Sequence, residues 1–373
     1  MVLADAVESE LALSQASIDP AALGSIDTFR FEEKALLAHC AERIAGRDYE
    51  AALALINGRG DCFWIDRDIS RQAQWEACRL MVELGLQIEA IKRAMAKGAG
   101  GPESWVKAYA AEDGWWIADG ILRSLETWVA RMDDEPEADK ALGVVRREYE
   151  DLIATMAEGF STALRQSHWS VSGFLHQSRV YSEMVQPGGG PAAFFLVDAM
   201  RFEMGNELAR LLTGAQELTV KPAIAALPTI TPVGMAALLP GASGSFSVLE
   251  HKERLASRVE GATVASSTDR IKFFKANVPD MVEMTLGKLL DSSAGKLKKA
   301  VGEASLIVVR SQEIDALGEG GDDWMAHQVM DTVVPNIARA VRKLAGCGIG
   351  RFIVTADHGF QFSMRKGDRK SVV

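Results

Sequence analysis

Three apolar runs in the second half of the sequence constrain the fold more than any other feature. They read AAFFLVD, ASLIVVRSQEID and GRFIVTADHG, and each reaches an acidic residue at its end or shortly after it. Such a run is typical of a strand that is buried on both faces of a parallel sheet. The helical segments MRFEMGNELARLL and DWMAHQVMDTVVPNIARAVRKLA follow the first two runs. The alternation predicts an α/β fold, with a doubly wound, mostly parallel sheet and flanking helices.

Residues 1–185 show a different pattern and are expected to form an all-helical N-terminal domain. Apolar residues recur there at helical spacing, as in AQWEACRLMVELGLQIEAIKRAM, and strand-like alternation is scarce. Seven of the eight tryptophans lie in this part of the chain. We interpret them as packing anchors, with a partner-binding face as the alternative.

The segment QPGGGP, residues 186–191, is the clearest linker in the sequence. It places the α/β domain at residues 192–373. Within that domain, residues 242–300 are expected to be a variable insertion between the strand and helix units. The end of this insertion is rich in lysine, which indicates either a basic rim or a solvated helix face.

The composition narrows the class of protein. The chain has 373 residues and a net charge of -10, which argues against a surface coated with basic groups for nucleic acid, although a local basic groove stays open. The N-terminus lacks the basic and apolar regions of a secretory signal. The uncharged stretch from residue 222 to 249 contains four prolines, so we do not expect it to span a membrane. Without CxxC pairs, the four cysteines indicate reduced thiols in the cytoplasm.

Acidic residues follow the three predicted strands. They are Asp198, Asp315 and Asp357, and His358 comes directly after the last of them. Strand ends in a parallel sheet meet at one edge, where three carboxylates repel one another unless a cation is bound. Oxygen ligands with one imidazole suit a divalent metal such as zinc or manganese. The alternative is that the aspartates cap helices and the histidine is an ordinary loop residue.

The segment LPTITPVGM, residues 227–235, places hydroxyl groups just before a short apolar helix. A hydroxyl in this position usually caps the helix. Near a metal it can instead be a nucleophile, because coordination lowers the pKa of the hydroxyl. A hydroxyl nucleophile beside metal-binding carboxylates is typical of phosphoryl transfer. The sequence lacks the GxGxxG of a nicotinamide-binding fold, and Asp198-Ala199-Met200 is not the DxD of haloacid-dehalogenase-type phosphatases.

Four segments in this order resemble the PglZ domain of the alkaline phosphatase superfamily. They are FFLVDAMRFEMGNEL, LPTITPVGMAALLPG, VVRSQEIDALGEGG and VTADHGF, and the resemblance covers roughly residues 190–370. The domain occurs in bacterial phage-defence systems of the BREX and phage-growth-limitation type. The resemblance implies a metal-dependent phosphohydrolase or phosphodiesterase that acts on nucleic acid or a nucleotide, together with other phage-defence proteins. The alternative is a non-catalytic scaffold subunit that retains a phosphatase-like fold.

The resemblance also implies roles for particular residues at the first metal site. Asp198, Asp357 and His358 correspond to ligands of the first of two divalent ions, which would be zinc or manganese, with magnesium as a further option. The nucleophile corresponds to Thr231, with Thr229 as the competitor.

The second ion would take Asp315 and Glu319. The phosphodiesterase branch has a histidine where this chain has Glu319, and a carboxylate favours manganese or magnesium. The superfamily's last ligand to this ion is a histidine beyond the DHG motif, and no histidine follows His358. We therefore expect that ligand to lie past Val373, and this chain to be inactive or poorly active. Substitution by His327 is a minor alternative.

Arg201 follows Asp198 closely, in a segment similar to the RFE typical of PglZ domains. An arginine beside a metal site can bind a phosphate through two parallel hydrogen bonds. It can equally pair with Glu203 or with another acid near the metals. Both interpretations stay open, and Arg201 is a candidate phosphate contact.

Overall fold

In the computed structural model, the chain divides into two compact units. The first ends at Trp169 and the second begins at Ser170. The structure describes residues 2–14, 18–23, 26–60, 62–98, 100–130, 136–319 and 323–361.

The first unit is helical throughout its described residues. Its helices are α1 (Val2–Glu10), α2 (Pro20–Leu23), α3 (Arg30–Ala45), α4 (Tyr49–Asn57), α5 (Ile69–Ala96), α6 (Pro102–Ala110), α7 (Trp116–Val129) and α8 (Pro136–Gln166). The long helix α5 packs against α7 and α8. It buries Leu84, Ile88 and Ile91, which lie on one face because they are spaced by three and four residues.

Tryptophans contribute to the interior of the first unit. Trp64, Trp75 and Trp116 are buried, whereas Trp169 is exposed. The indole N–H of Trp75 donates to the buried carboxylate of Glu33 at 2.9 Å. Burial with a satisfied N–H is what packing anchors require.

The second unit is built on a four-stranded parallel sheet. The strands of the whole unit, in this sheet and in two smaller ones, are β1 (Leu175–His176), β2 (Ala192–Val197), β3 (Ala223–Ile224), β4 (Ser247–His251), β5 (Arg254–Val259), β6 (Ala262–Val264), β7 (Val282–Thr285), β8 (Leu306–Ser311) and β9 (Arg351–Ala356). The main sheet has the order β7-β8-β2-β9, and every neighbouring pair in it is parallel. All six residues of β2 are buried, because the strand lies inside the sheet with both faces covered.

The second unit combines its parallel sheet with helices, which confirms the predicted α/β class. The α-helices of this unit are α9 (Phe202–Leu211), α10 (Thr231–Ala237), α11 (Ala242–Ser245), α12 (Ser267–Asn277), α13 (Leu286–Asp291), α14 (Ala294–Val301), α15 (Glu313–Glu319) and α16 (Asp323–Ala345). One face of the sheet, with Phe194 and Leu196, shares a core with α10 and with Phe274 of α12. Alternate residues of β2 face the opposite side.

Two stretches differ from the sequence expectation. Residues 170–185, expected with the helical domain, belong to the second unit and contain β1, a 3-10 turn and a π-helical turn. Residues 242–300, expected as an insertion, include β7, which lies at one edge of the main sheet as described. Its sequence, VEMT, is not an apolar run, and only Met284 of its four residues is buried. Outside the main sheet, β4, β5 and β6 form an antiparallel sheet that precedes α12.

Candidate metal centre at the carboxyl ends of the strands

The register of the main sheet brings two of the predicted aspartates together. Val197 of β2 lies opposite Ser311 of β8 and opposite Ala356 of β9. The next residues, Asp198 and Asp357, therefore leave two neighbouring strands at the same level. The backbone N–H of Asp198 extends the ladder by donating to Ser311 at 2.8 Å. Both aspartates are buried, with 1% and 0% of their surface exposed.

The carboxylate of Asp357 is only half satisfied. Its Oδ1 accepts hydrogen bonds from the backbone N–H of Ala199 at 3.1 Å and of His358 at 2.9 Å. Its Oδ2 is buried and accepts no hydrogen bond from any residue that the structure describes. A buried carboxylate oxygen without a donor is costly, and a bound cation would satisfy it.

In its neutral form, His358 presents the lone pair of one ring nitrogen to the same point. Its Nδ1 lies 2.8 Å from the carbonyl oxygen of Gly359, which can only accept, so Nδ1 carries the proton of the neutral ring. The free lone pair is then on Nε2, which lies 3.4 Å from Asp357 Oδ2 and 3.6 Å from Asp198 Oδ1. A histidine whose far nitrogen is fixed by a carbonyl group is typical of metal ligands.

Thr231 joins this cluster, and Thr229 does not. Thr231 begins α10, and its Oγ1 lies 3.1 Å from Nε2 of His358 and 3.4 Å from Oδ1 of Asp198. Thr229 is exposed and has no hydrogen bond to these groups within the described ranges. Of the two candidate nucleophiles, the fold therefore places Thr231 next to the acids.

Asp315 lies close to Asp198 and His358. It is in the first turn of α15, and one ligand atom each from Asp315, Asp198 and His358 lie within 4.8 Å of one another. The three acids that follow the predicted strands thus converge at one edge. Two further sequence candidates, Glu319 and His327, have side chains outside the described part of the structure.

Arg201 adopts the second of its two predicted interactions. Its side chain is buried, and Nε lies 3.8 Å from a carboxylate oxygen of Glu203. It is absent from the lining of the cleft that contains Asp198 and Thr231. Its role as a phosphate contact stays a prediction.

The electrostatics of the aspartate pair favour a bound cation. Burial, and then the negative charge of Asp357, raise the pKa of Asp198 to about 7. Burial also raises the pKa of Asp357 above its ordinary value. Two neighbouring carboxyl groups in a buried site cannot both ionise at low cost. The donor set, with its unsatisfied Asp357 oxygen and the lone pair of His358, fits a divalent metal ion.

Gln177 was not identified from the sequence, yet it holds the end of β9 in place. Its buried side-chain nitrogen donates to the carbonyl oxygens of Ala356 at 2.9 Å and Asp357 at 2.7 Å. Its side-chain oxygen accepts from the N–H of Ala226 at 3.0 Å. One glutamine thereby links the strand that ends in Asp357 to the segment that leads to Thr231. Nothing in its local sequence signals this role.

Close backbone contacts complete the site. A Cβ atom on Gly234 would lie 2.2 Å from the carbonyl oxygen of Asp357, so only glycine lets α10 approach this closely. Ala199 has a φ of +60°, a left-handed conformation that costs an alanine about 1–2 kcal/mol. This conformation accompanies the hydrogen bond from the Ala199 N–H to Asp357. Such strain is typical of functional sites.

A cleft opens beside the cluster. Asp198 and Thr231 line one part of it, and Arg270 of α12 and Arg310 of β8 line another. Apolar side chains, including Phe274, form the rest of the wall. A negatively charged group that reaches Thr231 would therefore lie near cationic side chains.

The parallel sheet and the cluster at its carboxyl edge define an alkaline-phosphatase-like domain. Residues 178–372, more than half of the chain, match the family described as the BREX system PglZ alkaline phosphatase-like domain. The chain therefore belongs to the PglZ family, which confirms the resemblance inferred from its four sequence segments.

Curated relatives extend the similarity beyond this domain. The chain is 22% identical over 350 residues to the alkaline phosphatase-like protein PglZ of Bacillus cereus (strain H3081.97), which covers 90% of the chain and 40% of that protein. It is 23% identical over 210 residues to the alkaline phosphatase-like protein BrxZ of Escherichia coli O9:H4 (strain HS), over 54% of the chain and 24% of that protein. The chain thus spans less than half the length of either relative. Among the described residues, every helix is too short or too polar to cross a bilayer.

Replacing Gly234 with alanine tests the close contact with Asp357. We expect Gly234→Ala to lower the free energy of unfolding by about 1–3 kcal/mol, since the added methyl group displaces the Asp357 backbone. The control is Gly205→Ala in α9, where a Cβ meets nothing within 4 Å, and it should be neutral or stabilising by up to about 1 kcal/mol. Urea unfolding measures both. Equal effects of the two substitutions would contradict the packing argument.

The raised pKa of Asp198 predicts how the stability of the metal-free protein depends on pH. Folded protein holds a proton on Asp198 up to about pH 7, whereas the unfolded chain loses it near its ordinary value of 3.8. The free energy of unfolding therefore falls as pH rises through this window, by at most about 1.4 kcal/mol per pH unit, and levels off above it. The measurement is urea unfolding of wild type and Asp198→Asn at several pH values. Identical slopes for both proteins would refute the assignment to Asp198.

Proposed function

We propose that this chain provides the metal-dependent phosphohydrolase site of a BREX phage-defence protein, and that it cleaves phosphodiesters in the cytoplasm. The observation that carries the proposal is the position of the Thr231 hydroxyl, 3.1 Å from Nε2 of His358 and 3.4 Å from Asp198 Oδ1. A hydroxyl held against a candidate metal-binding cluster, in a cleft that Arg270 also lines, is suited to attack a phosphate.

The proposed division of the ligands between two ions follows the superfamily pattern that the resemblance implies. Asp198, Asp357 and His358 would hold one divalent ion, and Asp315 with Glu319 would hold a second. We propose zinc or manganese, with magnesium as a further option at the all-oxygen site. When bound, these ions would lower the pKa of the Thr231 hydroxyl and neutralise charge on the substrate phosphate.

The chain's own residues then account for the chemistry. Oγ1 of Thr231 loses its proton to solvent and forms a bond to phosphorus, while the bond from phosphorus to the leaving oxygen breaks. The leaving oxygen takes a proton from solvent. Water next attacks phosphorus and breaks the bond to Oγ1, which restores the threonine and releases a phosphomonoester. Gln177 and Gly234 act as positioning residues, because they fix Asp357 relative to α10.

The proposed setting is a defence complex with other proteins, and the proposed substrate is nucleic acid or a nucleotide. The description of the matched family, a domain of the BREX system, supports the setting. Because the net charge of this chain is -10, a partner protein or a further segment of a longer protein would supply an extended basic surface for a long nucleic acid. The alternative function is a scaffold that keeps the fold without catalysis.

Removing a ligand tests the metal site itself. We expect wild-type protein dialysed against Zn²⁺ or Mn²⁺ to retain the ion, and Asp357→Ala to lose it, because Oδ2 of Asp357 has no other partner among the described residues. Elemental analysis after dialysis measures the stoichiometry. His251→Ala is a matched control, since that histidine ends β4, in the antiparallel sheet outside the main sheet. Wild type without bound metal would favour the scaffold.

Removing the hydroxyl tests the nucleophile separately from the metal. The test uses a chain extended to the length of its relatives. Thr231→Val keeps the shape of the side chain and the metal ligands, so it should retain bound metal while hydrolysis of bis-p-nitrophenyl phosphate falls by at least ~100-fold. Thr229→Val, at an exposed position, should leave both quantities unchanged. Full turnover by Thr231→Val would eliminate Thr231 as the nucleophile.

A further inference from the structure

We infer that Arg270 binds the phosphate oxygens of the substrate, so that α12 supplies the anion-binding side of the site. This inference rests on the proposed function and assigns the phosphate contact to an arginine outside the four motif segments. It concerns a segment that the sequence indicated only as a variable insertion.

The position of Arg270 is the first observation. Its side chain lines the same cleft as Asp198 and Thr231. The start of α12 is fixed by a capping box, in which Ser266 accepts from the N–H of Asp269 and Asp269 accepts from the N–H of Ser266. Arg270 follows immediately, so its backbone belongs to a well-defined first turn.

The packing of α12 keeps this turn in place. Phe274, one turn after Arg270, is 3% exposed and belongs to the core shared with β2. Its ring meets that of Tyr181 edge to face, with centroids 5.9 Å apart. The arginine is therefore presented from a helix that is anchored to the sheet rather than from a free loop.

The second observation is that neighbouring arginines are already paired. Arg310 bonds Glu283 through Nε at 2.7 Å, and a second guanidinium nitrogen lies 2.6 Å from the same oxygen. Arg201 is buried beside Glu203. The guanidinium of Arg270, in contrast, has neither an ion pair nor a hydrogen bond to any residue that the structure describes, and only its backbone N–H is bonded, to the carbonyl oxygen of Ser266. Its guanidinium is the cation of the cleft that an incoming anion can bind without breaking an existing pair.

The charges around Arg270 favour an anion that binds between this arginine and the metal centre. Burial lowers the pKa of Arg270, while the charges of Asp357 and Asp198 raise it. An arginine stays protonated at neutral pH even so. A divalent ion on Asp198 and Asp357 would neutralise those acids and leave the partly buried guanidinium without compensating charge. A phosphate oxygen pair restores it, since the planar fork of arginine matches two oxygens at once.

Inorganic phosphate is the probe that tests this assignment without requiring turnover. Isothermal titration of metal-loaded wild type should show phosphate binding, and Arg270→Ala should weaken it by about 10- to 100-fold, as expected for the loss of charged hydrogen bonds. Arg270→Lys should lie between the two, because it keeps the charge but not the fork. Elemental analysis should find the same metal content in all three proteins.

The same helix offers matched controls. Lys272 and Lys275 are exposed residues of α12, and their replacement by alanine changes net charge as Arg270→Ala does without altering the cleft. Both should bind phosphate as tightly as wild type. Thermal unfolding establishes that each variant is folded, and Arg270→Gln serves if the alanine variant is not.

The outcomes separate this inference from the proposed function. If metal-loaded Arg270→Ala binds phosphate as wild type does, the assignment to Arg270 is overturned and the metal site stands. If Arg201→Ala loses phosphate while Arg270→Ala keeps it, Arg201 is the contact instead. If wild type binds neither metal nor phosphate, the proposed function fails, and the inference fails with it.

Discussion

The second unit depends on one constraint, the parallel register that places two aspartates side by side at the end of a buried sheet. Val197 faces Ser311 on one side and Ala356 on the other, so Asp198 and Asp357 emerge together with almost no exposed surface. Two carboxylates in such a position destabilise each other unless they share a proton or bind a cation. The raised pKa of Asp198, about 7, is the direct consequence. Placing the two carboxyl groups together is therefore unfavourable in the metal-free protein, and a bound divalent ion would make it favourable.

The surrounding structure maintains this arrangement with short, specific contacts. Gln177 joins the backbone beyond β9 to the segment before α10, and the missing side chain of Gly234 lets α10 lie against Asp357. Ala199 adopts a left-handed conformation beside a hydrogen bond to Asp357. Each contact acts on the same loop, and together they determine where Thr231 stands relative to His358. Positioning of this kind is what metal-assisted phosphoryl transfer requires of a protein.

Membership of the PglZ family and the geometry of the site agree with each other. The family match covers residues 178–372, and the acids, the histidine and the threonine of the cluster all lie within it. Gln177, one residue before the match begins, shows that the supporting contacts extend beyond the recognisable domain. The cationic side of the cleft comes from α12 and β8, where Arg270 and Arg310 differ in whether an acid of the chain already pairs with them.

By itself, the sequence determined the class of fold and most of the candidate metal cluster, because strands buried in a parallel sheet have continuous apolar sequences and their carboxyl ends meet at one edge. That logic located Asp198, Asp315, Asp357 and His358, and the four segments identified the family. The same logic did not find β7, because its sequence, VEMT, is not a continuous apolar run. Tertiary structure alone placed Thr231 rather than Thr229 beside the acids, linked Gln177 to Asp357 and brought Arg270 into the cleft. These depend on contacts between residues far apart in the chain, and such contacts leave no local pattern in the sequence.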